Sequence, residues 1–201
     1  MVPHPTLVIA AAALHLASRL AYVVGVGAAL RLEDSRRVFT SRYGVEGGFE
    51  KFRALASPVM ALDAITFVFM ALVTMGTLHL SVPTWLRIAV GAVLIAVAIG
   101  VKLWARNTLG EKAYYWHNFF APDDWSVPVK PGPYRWLSNP MYTVGYLHAW
   151  GFALAVASWP ALAFAAFDQA AILAFHWLVE EPHYRRLSAR TDSDSVAAHR
   201  R

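Results

Sequence analysis

The chain has 201 residues, 57% of them hydrophobic and 15% charged, with a mean hydropathy of +0.41. A soluble domain carries about 25% charged residues, so a water-soluble globule and intrinsic disorder are both excluded for most of the chain. The absence of cysteine removes disulfide scaffolds, thiolate metal sites and cysteine nucleophiles together. The formal charge of +5 would suit nucleic acid, but long apolar runs interrupt the basic residues and favour anionic lipid headgroups.

Residues 6–30 contain one charge, Arg19, and as a helix are long enough to cross a hydrocarbon core of about 30 Å. The opening Met-Val-Pro-His-Pro lacks the basic stretch of a cleaved signal peptide, so this first span is expected to be retained. Residues 31–53 mix charges with Gly44, Gly47 and Gly48 and read as a cytoplasmic loop or interfacial segment. Residues 58–80, with Asp63 as the only charge, form a second span, and residues 85–103 a third, joined by the tight link Ser81-Val82-Pro83-Thr84. After a polar and aromatic stretch come a fourth span, 142–159, and a fifth, 161–179, parted at Pro160, where proline removes a backbone donor. Residues 188–201 are polar, without apolar periodicity, and read as a solvated tail following a single membrane domain, 1–187.

The predicted fold is therefore an all-α polytopic bundle of about five membrane helices. Of the 18 Lys and Arg residues, all except Arg19 and Arg87 fall after span one, after span three or in the tail, Lys130, Arg200 and Arg201 among them. Those three segments share one side of a five-span chain, so the positive-inside rule puts the N-terminus outside and the C-terminus in the cytoplasm.

Chemistry concentrates between Lys102 and Tyr142 and again at His176–Tyr184 in sequence, flanking the last hairpin. Asn139 suits a helix N-cap and Pro140 the first helical position; the same helix start, with Arg135, could hold an anion. Glu180 and Glu181 precede Pro182, which marks a helix end. Two acids there oppose the helix dipole: either Arg185 and Arg186 neutralise them, or they face a cationic ligand such as an ammonium or sulfonium group. His176 shares the helical face of Glu180. The spacing His176, Glu180, His183 also admits a metal, but Pro182 interrupts it and no repeated histidine box accompanies it, so no metal site is assigned. Phosphate-binding glycine loops, a G-x-S-x-G elbow and an H-E-x-x-H helix are absent, which removes support for hydrolases and nucleotidases.

The pattern Gly132-x-Tyr134-Arg135-x-x-Ser138-Asn139-Pro140-Met141-Tyr142, followed after an apolar hairpin by Glu180-Glu181-Pro182, resembles the integral-membrane phospholipid and isoprenylcysteine carboxyl methyltransferase superfamily, and most closely its phosphatidylethanolamine N-methyltransferases. The resemblance covers roughly residues 103–187. It implies a membrane enzyme that binds S-adenosylmethionine on the cytoplasmic side of its last helices. By similarity Glu180 and Glu181 would recognise the cofactor's amino group, with Arg135, Asn139, Pro140 and Tyr142 lining the same pocket. Gly110 and His117, in and before the aromatic run Tyr114-Tyr115-Trp116-His117-Asn118, match the family's cofactor-contacting region more loosely.

Methyl transfer needs positioning, exclusion of water and a neutral nucleophile. An ethanolamine headgroup must first lose a proton, for which His148, His117 and Glu180 are the candidate acceptors. His15, Arg19 and Tyr22 share one face of span one: Arg19 either pairs with Asp63 or holds lipid phosphate, while Tyr142 and His148 are placed to meet the acceptor. Asp168 reads as structural. The expected activity is N-methylation of a membrane phospholipid, with no nucleic-acid partner. The alternatives are carboxyl methylation of a prenylated or other lipophilic acid, and a non-catalytic scaffold or small transporter.

Overall fold

The computed structural model describes residues 4–124 and 132–199. Lys130, Arg200 and Arg201 of the charge pattern, and residues 1–3 of the opening, lie outside the described residues. Among the described residues every regular element is helical, and four helices are long and apolar enough to cross a membrane, which makes the molecule a polytopic membrane bundle.

Helix α1 spans Pro5–Arg36. Pro5 opens it at the first helical position, where the missing N–H costs nothing, and the helix widens to a π turn over Ala21–Val26 just past Arg19. At about 48 Å it exceeds the hydrocarbon thickness, so its last turns extend beyond the apolar run. Helix α2 spans Thr40–Val73 and is broken only at Gly44, whose backbone (φ 73°, ψ 174°) is non-helical. The segment 31–53, expected as a loop or interfacial stretch, is thus largely helical. The buried carboxylate of Glu33 explains why: it accepts the backbone N–H of Phe39 at 2.7 Å and the N–H and hydroxyl of Thr40, capping α2 from the preceding helix. Phe49, Phe52 and Phe120 then close over one another as a buried aromatic cluster.

Helix α3 spans Thr84–Leu109 and ends at Gly110, whose φ of 81° a non-glycine residue would adopt only with strain. The predicted fourth span, 142–159, is a shorter object: a turn at Asn139–Thr143, one 3₁₀ turn over Val144–Tyr146, and helix α4, Leu147–Ala155, about 14 Å long. Asn139 caps no long helix. Its carbonyl accepts the N–H of Tyr142 and Thr143 and the Thr143 hydroxyl at 2.7 Å, which tightens the turn instead. Helix α4 packs on α3 through small residues: a Cβ at Gly91 would sit 2.6 Å from the Gly151 carbonyl oxygen, so the two backbones touch.

Helix α5 begins at Trp159 and stays helical to His199. The break expected at Pro160 lies earlier: Ala157 adopts φ 53°, and Ser158 caps α5 by accepting the Ala161 N–H at 3.0 Å. This turn is laced to the α2–α3 link by Gly76 N–H to Val156 O, Leu78 N–H to Ala157 O, and Thr74 Oγ1 to Ser158 Oγ at 2.6 Å. Both short links therefore lie at one end of the bundle. Pro182 does not end α5. A π turn over His176–Glu180 precedes it and the helix resumes at Glu181, the wide turn accommodating the missing N–H and the ring. The argument from opposed dipole and acids therefore falls, because Glu180 and Glu181 are inside a helix and not at its end. The helix also crosses the boundary at 187/188 without interruption.

Candidate active site

Glu180 is the node of the site. Its carboxylate is buried, 5% exposed, and accepts three hydrogen bonds: Trp116 Nε1–H at 2.5 Å, Tyr142 Oη–H at 2.7 Å and His176 Nδ1 at 2.6 Å. The donors come from the loop after α3, the turn before α4, and the first residue of the π turn. That π turn turns the Glu180 side chain inward, and a registry change of this kind is a frequent mark of functional positions.

Two buried polar atoms near this node make no hydrogen bond among the described residues: Tyr134 Oη, which the Glu180 charge reaches, and Asn118 Nδ2, two residues after Trp116. Burial, and then the Glu180 charge, hold the Tyr134 phenol protonated well above its ordinary range, so it stays an O–H donor. Buried polar groups are seldom left unpaired in a folded protein, and two such atoms near one buried acid suit a polar ligand.

A cavity of about 530 Å³ reaches from Trp116 and Tyr142 to Phe67, Phe152 and Asp168 in the middle of the bundle. One wall is a buried polar ladder. Arg19, fully buried, donates to Asp63 Oδ2 at 2.8 Å, to Tyr146 Oη at 2.5 Å and to the Asp168 carbonyl, and its Nε lies 3.4 Å from Asp168 Oδ1. His15 joins Thr66 Oγ1 at 3.1 Å and Asp168 Oδ2 at 3.0 Å. The Arg19–Asp63 pair expected from sequence is present, and Asp168 belongs to the same structural network. An intramembrane charge needs such partners. Lys102 and His148 also line the cavity, both beside Tyr146. His148 Nδ1 donates to the Gly145 carbonyl at 2.7 Å, which leaves the lone pair of the neutral ring on Nε2.

The other expected site residues are distributed less tightly. Glu181 lies beside the node: Arg185 Nε donates to it at 2.8 Å, and His176 Nε2 is 3.9 Å away. Arg186 does not neutralise the acids; it pairs with Asp34, which also receives His183 Nδ1 at 2.8 Å. With His183 held there and stacked on Phe119, the His176, Glu180, His183 trio is split and does not converge on one point. His117 sits edge-on to Phe49, with Nε2 3.4 Å from Glu46 Oε1 but without hydrogen-bond geometry. Gly110 is exposed at the end of α3, Arg135 is exposed over the Trp136 ring, and Asn139 and Pro140 shape the turn that delivers Tyr142. Residues passed over in the sequence include Trp116, which binds Glu180 directly, and Lys102. A tryptophan in an aromatic run gives no sign of which ring turns inward. A lysine at the end of an apolar run reads as a topogenic charge.

Residues 86–190 match the model of the family described as phospholipid methyltransferase. The chain belongs to the phospholipid methyltransferase family. Among relatives, the phosphatidylethanolamine N-methyltransferase of Clavispora lusitaniae is 32% identical over 68% of this chain and 17% of that protein. The protein of that name from Pyrenophora tritici-repentis is 33% identical over 68% of this chain and 15% of its own length, and that of Saccharomyces cerevisiae strain RM11-1a 30% over 72% and 16%. The chain thus spans about a sixth of the length of these relatives. No solved structure matches it. Membership in the phospholipid methyltransferase family implies S-adenosylmethionine as the methyl donor, and the family match covers the Glu180 node together with the Lys102 and His148 side of the cavity.

Proposed function

We propose that the chain is an S-adenosylmethionine-dependent methyltransferase that N-methylates the ethanolamine headgroup of membrane phospholipids at the cytoplasmic leaflet. The observation that carries this reading is the cavity itself, which runs from Trp116 and Tyr142, two of the three donors to Glu180, to the apolar flanks of α2 and α3 and so offers a lipid a space next to the polar node.

The residues present suit the cofactor. Glu180 and Glu181 are acceptors for its cationic amino group, while Tyr134 and Asn118, whose buried polar atoms make no hydrogen bond among the described residues, and His117, whose Nε2 faces Glu46, supply polar groups for its carboxylate and adenosine. When bound, S-adenosylmethionine supplies an electrophilic methyl group on a sulfonium sulfur. Trp116 and Tyr142 fix the Glu180 carboxylate before any ligand arrives, so little reorganisation is needed. The headgroup enters as an ammonium, and its nitrogen can attack only after losing a proton. We assign that proton to His148 Nε2, directly or through one water, because the Gly145 carbonyl fixes the tautomer. Arg19, with its guanidinium committed to Asp63, Tyr146 and Asp168, builds the wall of the acceptor site. The charge pattern supports an N-terminus outside and a C-terminus inside, with 142–159 as a short fourth crossing of five.

The decisive measurement is methyl transfer from labelled S-adenosylmethionine to lipids in liposomes containing the purified chain. Phosphatidylethanolamine should yield its monomethyl form while prenylcysteine acids give none. Base-labile methyl esters on the acid, with no amine-lipid product, would instead establish carboxyl methylation.

A further inference from the structure

Lys102 is the cation in the cavity that the proposed chemistry leaves unused. It lines the cavity from α3, half-buried, and its stem lies flat against Gly145, where a Cβ would stand 2.9 Å from Lys102 Cγ and 3.2 Å from Cε. The side chain therefore crosses the bundle interior, in contrast to a lysine that extends along its helix to the membrane surface. Its ammonium sits 5.5 Å from the centroid of the Tyr146 ring. The nearest carboxylates are shared with other cations: Asp63 Oδ2 with Arg19, and Asp168 with His15 and Arg19, while Asp63 Oδ1 makes no hydrogen bond and acts on Lys102 only through space. Among the described residues no carboxylate forms an ion pair with Lys102. An intramembrane ammonium whose nearest carboxylate is shared with a guanidinium and not in contact with it is costly, and an anion delivered by a ligand relieves that cost.

The same cavity is open on one side. Ala61, Ala64 and Val68 of α2 and Ile99 of α3 line it and are themselves exposed, and α3 packs on α4 without a comparable contact to α2. An apolar opening between two membrane helices faces acyl chains. His148 shares the Lys102 side of the cavity and takes its orientation from the Gly145 carbonyl, so one glycine positions both.

We propose that Lys102 is the anion-holding residue of the acceptor site, binding the phosphodiester of a phospholipid whose acyl chains occupy the opening between α2 and α3. The proposal deepens the N-methylation reading and rests on it for the identity of the headgroup. It assigns specificity for phosphate to a residue other than the surface arginines or Arg19.

The test compares wild type, Lys102→Gln and Lys102→Arg as full chains in detergent micelles. Equilibrium binding is measured with tritiated dioleoyl phosphatidylethanolamine and with a matched aminoethyl ether of dioleoylglycerol that lacks phosphate. Lys102→Gln should weaken phosphatidylethanolamine binding by about 10- to 100-fold, the range for losing a charge-assisted hydrogen bond, while the phosphate-free lipid binds as before. Lys102→Arg should keep the preference for phosphate. Equal binding of both probes to wild type and Lys102→Gln, or an equal loss of both, would overturn the assignment. Glycerophosphoethanolamine, which carries the same headgroup without chains, should compete far more weakly than the full lipid. Competition at equal concentration would overturn the placement of the chains. Methyl transfer is scored separately. Absence of a methylated product alongside Lys102-dependent phosphate preference retires N-methylation and leaves the phosphate site standing. Normal KM for phosphatidylethanolamine in an active Lys102→Gln retires the phosphate site alone.

Discussion

Glu180 binds together three stretches of chain that are far apart in sequence, through donors from Trp116, Tyr142 and His176. Replacing it with glutamine turns an amide N–H₂ toward at least one group that is itself a donor. Glu180→Gln is therefore expected to lower affinity for S-adenosylhomocysteine by about 10- to 100-fold and to cost roughly 1–3 kcal/mol of stability, checked by calorimetric titration and by thermal unfolding. Glu181 is 39% exposed at its side chain, pairs with the solvent-facing Arg185 and lies 3.9 Å from His176 Nε2, so Glu181→Gln should weaken the same titration while shifting stability by less than about 1 kcal/mol. Tyr134 separates ligand from fold more cleanly. Its buried hydroxyl has no hydrogen-bond partner among the described residues, so Tyr134→Phe should leave unfolding unchanged and reduce S-adenosylhomocysteine affinity several-fold, by about 0.5–1.5 kcal/mol. A loss of stability without a loss of affinity would assign the hydroxyl to the fold.

At the level of elements, the site depends on how closely α4 can approach α3. Gly91 and Gly151 let the backbones touch, and α4 carries His148 while the turn before it carries Tyr142. Gly91→Val places methyl groups where the Gly151 carbonyl and Ala155 already stand. It should cost about 1–3 kcal/mol through overpacking, visible as a lower unfolding temperature in detergent, with activity falling in parallel as α4 is displaced. A valine variant with wild-type stability would show that the crossing tolerates separation. The two π turns belong to the same scale. Each follows or contains a buried charged residue, Arg19 before the first and Glu180 in the second, and each shifts the helical register so that the charge meets its partners.

For the whole molecule, the two short links meet at one end of the bundle while Glu180 and its partners gather around the loop after α3. From the charge pattern we propose that the latter end is cytoplasmic. Single cysteines introduced into this cysteine-free chain test the assignment: one at Val82 should react only from outside and one at Ser195 only from the cytoplasm. Labelling of position 82 from the cytoplasm would invert the arrangement, and with it the leaflet from which the acceptor is drawn.

Hydrophobic runs and their lengths determined the membrane bundle, because burial in lipid is a property each segment carries on its own. Arg19–Asp63 was legible for the same reason, since two lone charges in apolar helices must find one another. The motif around Asn139 and the Glu180-Glu181 pair carried the family resemblance, and the family match agrees with it. Tertiary structure decided what depends on partners distant in sequence. Pro182 looked like a helix end because local sequence does not show that the preceding turn widens around it. The short α4 could not be told from a full span, since the turn at Asn139–Thr143 is set by backbone hydrogen bonds that hydropathy does not register. Trp116 and Lys102 became site residues only once folding brought one to Glu180 and laid the other across Gly145, and those encounters are set by packing geometry between elements.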